Sequence, residues 1–254
     1  MPFTLSHPAL VLPLNFLPKK WVSMTGLIIG SMAPDVQSFI MSGGDKTQTH
    51  SWWGLIWFGI PISLLIAFVF HLSIREMLIS HLPRMLQIKF ARYKDFDWIT
   101  RFKRYWPVVI ISILIGGASH LFWDSFSHFN GFFIRDNAAL QGNAEFGGKS
   151  VEIPFLIQYL NSGIGLLVVL IAILQVPRSR NVRIRVVIMK YWLIMAVIST
   201  ILILFKLESM ENYKLDDLLT SCISALSVAL LITSLLFKNG LVKDRFGSPP
   251  AKEG

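Results

Sequence analysis

Residues 120–128 read His-Leu-Phe-Trp-Asp-Ser-Phe-Ser-His, so His120, Asp124 and His128 recur every four positions. Four residues of α-helix advance about 400°, leaving successive side chains about 40° apart and about 6 Å along the axis. His120 and Asp124 can then reach one metal ion and Asp124 and His128 a second, with Asp124 as the bridge. Mixed imidazole and carboxylate ligands suit Zn²⁺ or a similar first-row ion. The step to His128 is the less regular one, because Asn130-Gly131 follows and the helix can already have ended there.

Three further candidates lie upstream. His7 sits in a short N-terminal segment, Asp35 follows Pro34, and His50 precedes Trp52-Trp53. Each has a plainer reading taken alone. Pro-Asp is a common turn pair, His7 can face lipid headgroups, and a histidine beside tryptophans is an ordinary interfacial residue. Ionisable groups at membrane depth are costly, however, and they usually mark a functional interior. A shared metal site is therefore favoured over a proton relay or scattered interfacial groups. His71 and His81 fall on the opposite side of the expected topology and read as ordinary loop or interface histidines.

The elements that position these residues follow from composition. The 254 residues are 53% hydrophobic and 15% charged, against about a quarter charged in a soluble domain. Mean hydropathy is +0.56. Apolar runs cover about 54–72, 106–123, 155–176, 187–205 and 218–237, with a weaker one at 21–40. Each is close to the length that crosses a bilayer core. An all-α, multi-pass bundle of about six spans is expected, which excludes a soluble enzyme, a disulfide-stapled domain and a disordered chain. Cys222 is the single cysteine and has no partner in the chain. The apolar stretch Thr4–Leu17 is too short to span and holds Pro8 and Pro13, so a re-entrant or half-spanning segment is expected. Residues 1–20 lack the leading basic residues and the cleavage site of a signal peptide.

The net charge is +9, and its distribution sets orientation. Lys19 and Lys20, the 73–105 loop, the 177–190 connection and the tail from Lys238 hold 19 of the 24 Lys and Arg residues. By the positive-inside rule these segments are cytoplasmic. Trp21, Trp106 and Trp192 then anchor inner span ends, and Trp52, Trp53 and Trp123 outer ones. The basic excess is explained by topology, so no nucleic-acid partner is expected. His7 aside, whose side charge does not place, the His and Asp candidates converge on the outer face. Residues 1–176 are expected to form the metal-site membrane domain, 177–240 a scaffold of two spans, and 241–254 a flexible cytoplasmic tail.

Several stretches carry a resemblance. MPFTLSHPALVLPL at the start, GSMAPD at 30–35, THSWWG at 49–54, SHLFWDSFSHFNG at 119–131 and VEIPFLIQYLNSGIGLL at 151–167 resemble a bacterial membrane family, the domain-of-unknown-function family 4184. That resemblance covers the chain to about residue 175 and implies a place in the bacterial cytoplasmic membrane. A more distant similarity is to predicted membrane-bound metal-dependent hydrolases, and through them to zinc-dependent phospholipase C. It implies metal ligation by His7, Asp35, His50, His120 and Asp124, with His128 as a further ligand. No histidine follows His128, so the later His-x3-Glu pair of the phospholipase is missing, and one or two ions are expected rather than three.

The expected function is a metal-dependent hydrolase at the outer membrane interface, acting on a phospholipid or other phosphate ester. A metal ion lowers the pKa of water to about 7 and polarises the bond to be broken. Asp35 and Asp124 are the candidate catalytic carboxylates, each also a ligand. Arg135 and Lys149 are the outer-side cations available to an anionic headgroup, Arg135 being better suited to bidentate contact. Ser51 and Ser119 flank two proposed ligands and could hydrogen-bond behind them. The alternative is a non-catalytic metal-binding or transporter-like membrane protein. Against transport, the ligands gather at one face and no repeat is visible, whereas transporters place their site near the midplane between repeated halves.

Overall fold

A computed structural model describes residues 4–40, 48–128, 131–179, 189–208 and 215–242. Most of the basic 177–190 connection, and the expected tail from 243 onward, lie outside the described residues. The chain opens with two 3-10 helices, Thr4–Leu10 and Leu12–Phe16, followed by α1 (Met24–Gly30) and α2 (Ala33–Ile40). Next come α3 (Trp52–His81), α4 (Arg84–Phe90), α5 (Trp98–Asp124), a hairpin of β1 (Asn143–Phe146) and β2 (Lys149–Glu152), α6 (Ile153–Gln175), α7 (Met189–Glu208) and α8 (Leu215–Lys238).

Among the described residues, five helices are long and apolar enough to cross a membrane: α3, α5, α6, α7 and residues Leu218–Lys238 of α8. The expected sixth run, 21–40, does not form one helix. It breaks at Ser31-Met32 into α1 of seven residues and α2 of eight. The reason is local. Pro34 has no N–H to donate into a continuous helix and disfavours helical geometry in the residue before it, so a new helix starts around it. The hairpin also departs from a purely α-helical expectation. Gly147 and Gly148, with φ of 59° and 74°, make the tight turn that pairs its strands.

The chain divides into two compact units. The first comprises Met1–Phe68, Asp97–Val176 and Tyr213–Thr220. Its helix α5 is capped by Asp97, whose carboxylate accepts from the Thr100 N–H at 3.1 Å. It bends at Tyr105 (φ −131°, ψ 28°), two residues before Pro107, because proline cannot donate into the helix and crowds the preceding turn. The apolar core beside it joins Ala67, Trp98, Val109 and Ile113. A second small core joins Val11, Val22 and Leu27.

Close backbone approach, rather than a large apolar interface, brings the short N-terminal elements onto the long helices. A Cβ built on Gly116 of α5 would stand 2.3 Å from the Leu27 carbonyl oxygen and 2.7 Å from the Ser31 nitrogen. Small residues permit this kind of backbone contact in membrane helices. The Ser23 N–H donates to Ser112 Oγ at 2.9 Å across the same contact. Gly165 of α6 does the equivalent for the first 3-10 helix, a Cβ there meeting the Ser6 Cβ and carbonyl oxygen at 2.7 and 2.8 Å.

The second unit comprises Val69–Phe96, Pro177–Asn212 and Ser221–Gly254. His81, expected to be a loop or interface residue, is fully buried in it. Its ring stacks on Tyr191 at 4.3 Å and meets Phe237 edge-on at 5.1 Å. Its Nδ1 donates to the Met77 carbonyl at 2.6 Å, and Trp192 Nε1 donates to the His81 carbonyl at 2.7 Å. This histidine packs as a core aromatic. His71 stands against the Arg75 guanidinium at 2.9 Å.

The glycine contact makes a sharp prediction. Gly116→Ala forces a methyl group onto backbone atoms, and overpacking of this kind costs about 1–3 kcal/mol. Gly163→Ala, where nothing lies within 4 Å of the added Cβ, removes glycine entropy from a helix interior and gains up to about 1 kcal/mol. Thermal unfolding of the two variants in detergent should therefore move in opposite directions.

Candidate metal centre

The first unit gathers His7, Asp35, His50, His120 and Asp124 into one cluster. His7 comes from the first 3-10 helix, Asp35 from the first turn of α2, and His50 from the turn before α3. His120 and Asp124 come from the last turns of α5. His7 Nε2 is 3.2 Å from Asp124 Oδ1, and His50 Nε2 is 3.2 Å from Asp35 Oδ1. His120 Nε2 is 3.2 Å from Asp124 Oδ2 and 3.7 Å from Asp35 Oδ1. His50 Nε2 also lies 3.9 Å from Asp124 Oδ2. The His7 and His120 rings stack at 4.1 Å. His7, Asp35, His120 and Asp124 are buried, while the His50 side chain keeps 20% exposure. The cluster is therefore open on the side of His50.

The tautomers carry the chemistry. His120 Nδ1 lies 2.8 Å from the Ser31 carbonyl and His7 Nδ1 3.2 Å from the Thr4 carbonyl. A carbonyl oxygen only accepts, so both Nδ1 atoms carry their proton. Each Nε2 is then left as a lone pair aimed at a carboxylate, unless a second proton is present. Lone pair against carboxylate oxygen is repulsive, and the contact calls for a cation. His50 Nδ1 lies 3.3 Å from Thr49 Oγ1, a hydroxyl that can donate as well as accept, so this contact fixes the ring without fixing its tautomer. Histidines that ligate metals usually donate the other ring N–H to a carbonyl or carboxylate.

Two sets of three residues place one ligand atom each within 4.8 Å of one another: His7, Asp35 and His120, and His50, His120 and Asp124. Tetrahedral Zn–N and Zn–O bonds of about 2.0–2.2 Å put neighbouring ligand atoms about 3.3–3.6 Å apart. The His–Asp separations within the two sets run from 3.2 to 3.9 Å, and all ligand atoms of each set stay within 4.8 Å of one another. Neither His120 Nε2 nor Asp124 Oδ2 makes a hydrogen bond among the described residues, although they are buried and 3.2 Å apart. Their misalignment with each other fits two donors directed at a third point. His120 belongs to both sets and has one Nε2, so the sets overlap in a single centre.

His128 stands at the rim. Its Nδ1 is 3.9 Å from Asp124 Oδ1 but donates to the Asp124 carbonyl at 3.2 Å, and the side chain keeps 38% exposure. Burial pushes its imidazole below the ordinary value, with the Asp124 carboxylate pulling the other way. The His128 backbone N–H still bonds the Asp124 carbonyl at 3.0 Å, one turn past the end of α5, which keeps the ring beside Asp124 but outside both sets of three.

The remaining candidates bond elsewhere. Ser51 caps α3, accepting from the Gly54 N–H at 2.9 Å and donating to the Gln48 carbonyl. Ser119 donates back to the Gly116 carbonyl at 2.6 Å. Arg135 pairs with Asp136 at 3.2 Å and lies over the Phe132 ring. The Lys149 side chain lies outside the described ones. The groups that do support the cluster are Thr4, whose hydroxyl donates to Asp35 Oδ2 at 2.6 Å, Thr49 and the Ser31 carbonyl. Thr4 lies three residues before His7 and Thr49 adjoins His50, so both stand beside a candidate ligand in the sequence. The Ser31 carbonyl leaves no such trace, because a backbone acceptor has no residue type.

Comparison with known proteins adds one match. Residues 1–235 match the family described as Domain of unknown function (DUF4184). The chain belongs to that family. No curated protein and no solved structure matches. The DUF4184 match covers the whole of the cluster and all five long helices apart from the last residues of α8.

The Thr4 hydroxyl orients the Asp35 carboxylate. Thr4→Val keeps the side-chain shape and removes the donor. Loss of such a supporting bond commonly lowers metal affinity about 10–100-fold. Competition against a metal chelator should show that loss, with the helical circular-dichroism signal unchanged.

Proposed function

We propose that this protein is a membrane-embedded, metal-dependent hydrolase of phosphate esters, phospholipids among them, with one or two divalent ions, zinc before others, held by His7, Asp35, His50, His120 and Asp124. The observation that carries the reading is the cluster of imidazole Nε2 atoms facing two buried carboxylates with Nδ1 already committed. In the bacterial cytoplasmic membrane, the distribution of Lys and Arg supports an outward-facing site. Six crossings are proposed, α1 and α2 together making the first, with the 3-10 segment reaching partway into the bilayer.

When bound, a divalent ion supplies a nucleophile at neutral pH and polarises a phosphoryl oxygen. The chain's own residues do the rest. His120 is held from behind by the Ser31 carbonyl and His7 by the Thr4 carbonyl, so neither ring can rotate away without losing a buried hydrogen bond. Asp124 reaches His7 through Oδ1 and His120 through Oδ2, so both of its oxygens would be available to hold an ion. Asp35 is fixed at Oδ2 by Thr4, which leaves Oδ1 to ligate or to take a proton from water. The partly open His50 and His128 edge is the side from which a headgroup can enter. The similarity to membrane-bound hydrolases and zinc-dependent phospholipase C, carried by the order of these ligands, supports the same chemistry.

Metal analysis of purified protein tests the site. Wild type should retain one or two equivalents after nonspecific ions are stripped, and Asp124→Asn and His120→Ala should retain much less. Equal content in all three ends the proposal of a shared site. Occupancy should also follow pH. Ligation requires neutral imidazole, and protons compete with the metal for it. Metal should therefore be released as the medium is made more acidic. Hydrolysis of a phosphodiester panel should fall at least about 100-fold in Asp124→Asn. Turnover that survives this substitution removes the catalytic role.

A further inference from the structure

Beside the cluster lies an apolar cavity of about 420 Å³, open along one side where Leu10, Phe122 and Phe133 are exposed, a size typical of small-molecule sites. It is walled by Leu10, Trp123, Phe126, Ile134 and Ile157, among other apolar side chains, and its single polar lining residue is Asn161. Two of its walls are continuous with the metal-ligand elements. Leu10 follows His7 by three residues in one 3-10 helix, where side chains three apart eclipse one another about 6 Å apart along the axis. Trp123 directly precedes Asp124 on α5, and its ring centroid stands 6.5 Å from that of His7.

This juxtaposition restricts what can occupy both places. A cavity with one polar residue gives water few of the partners it needs, and an apolar ligand gains roughly 0.8 kcal/mol per buried methylene. The cluster next to it holds two carboxylates and three imidazoles and, with its cation, takes an anionic oxygen. A ligand that satisfies both is an amphiphile, with its phosphate at the cluster and a hydrocarbon chain in the cavity. We infer that the cavity between the first 3-10 helix, the end of α5 and the start of α6 is a chain-binding site for one hydrocarbon tail of a lipid phosphate ester, so that the protein selects substrates by chain as well as by headgroup. This deepens the hydrolase reading and rests on it for the headgroup, while the chain site has its own readout.

The test uses the full-length protein in detergent and two probes with the same phosphoglycerol headgroup, one carrying a palmitoyl chain and the other a butanoyl chain. A palmitoyl probe with a photoreactive group near the end of its chain should crosslink to residues around 122–126 and 157–161. Ile157→Trp fills the cavity without touching a proposed ligand, and Leu10→Phe serves as the second variant should the first misfold. Each should keep wild-type metal content and butanoyl-probe turnover. Palmitoyl crosslinking should be abolished and the KM for the palmitoyl probe raised about 10–200-fold, the range that small changes in an apolar pocket produce. Unchanged crosslinking and KM in folded, metal-loaded variants overturn the chain site. Crosslinking that is lost in the variants while wild type turns over neither probe leaves the chain site standing and removes the hydrolase reading instead.

Discussion

The first unit depends on one electrostatic constraint. Two carboxylates, Asp35 and Asp124, are taken out of water and set against three imidazoles whose outer nitrogens are already engaged. Burying charge without compensation is expensive, and proteins meet that cost with a partner or a metal. In this cluster each inward nitrogen is 3.2 Å from a carboxylate oxygen. Without positive charge between them, those contacts would repel. A proton on the imidazole or a bound metal can supply it.

That requirement accounts for the form of the N-terminal region. The cluster residues come from a 3-10 segment, a short helix, a turn and the last turns of a long helix, and the first three are too short to be stable alone. Short helices are marginal without tertiary packing. Gly116 and Gly165 bring α1 and the 3-10 segment to backbone contact with α5 and α6, and that contact places the Ser31 carbonyl 2.8 Å from His120. The packing of glycines and the tautomer of His120 are consequently one structural fact. A shift of α1 by a methyl group disturbs both.

The long helices were legible because the bilayer imposes a length on apolar runs, and five of the six runs correspond to helices long enough to span. The run at 21–40 illustrates the limit of that signal. Its hydropathy describes a span, while Pro34 forces a helix to restart there. The His-x3-Asp spacing on α5 was readable because helical geometry is local. His128 and His81 were not. The first depended on where α5 ends, and the second on aromatic partners more than a hundred positions away in Tyr191 and Phe237.

The amino-acid sequence by itself determined the apolar helices, the asymmetric placement of basic residues and the identities of the chemically capable side chains. Those are properties of composition and of spacing within one element. Only the tertiary structure decided that His7, Asp35 and His50 meet His120 and Asp124, that Ser51 and Ser119 turn to their own backbone, and that an apolar cavity adjoins the cluster. Such outcomes rest on close approach between distant segments, His7 and Asp124 being 117 positions apart. Glycine contacts and backbone carbonyls make that approach, and neither announces its partner in a linear pattern.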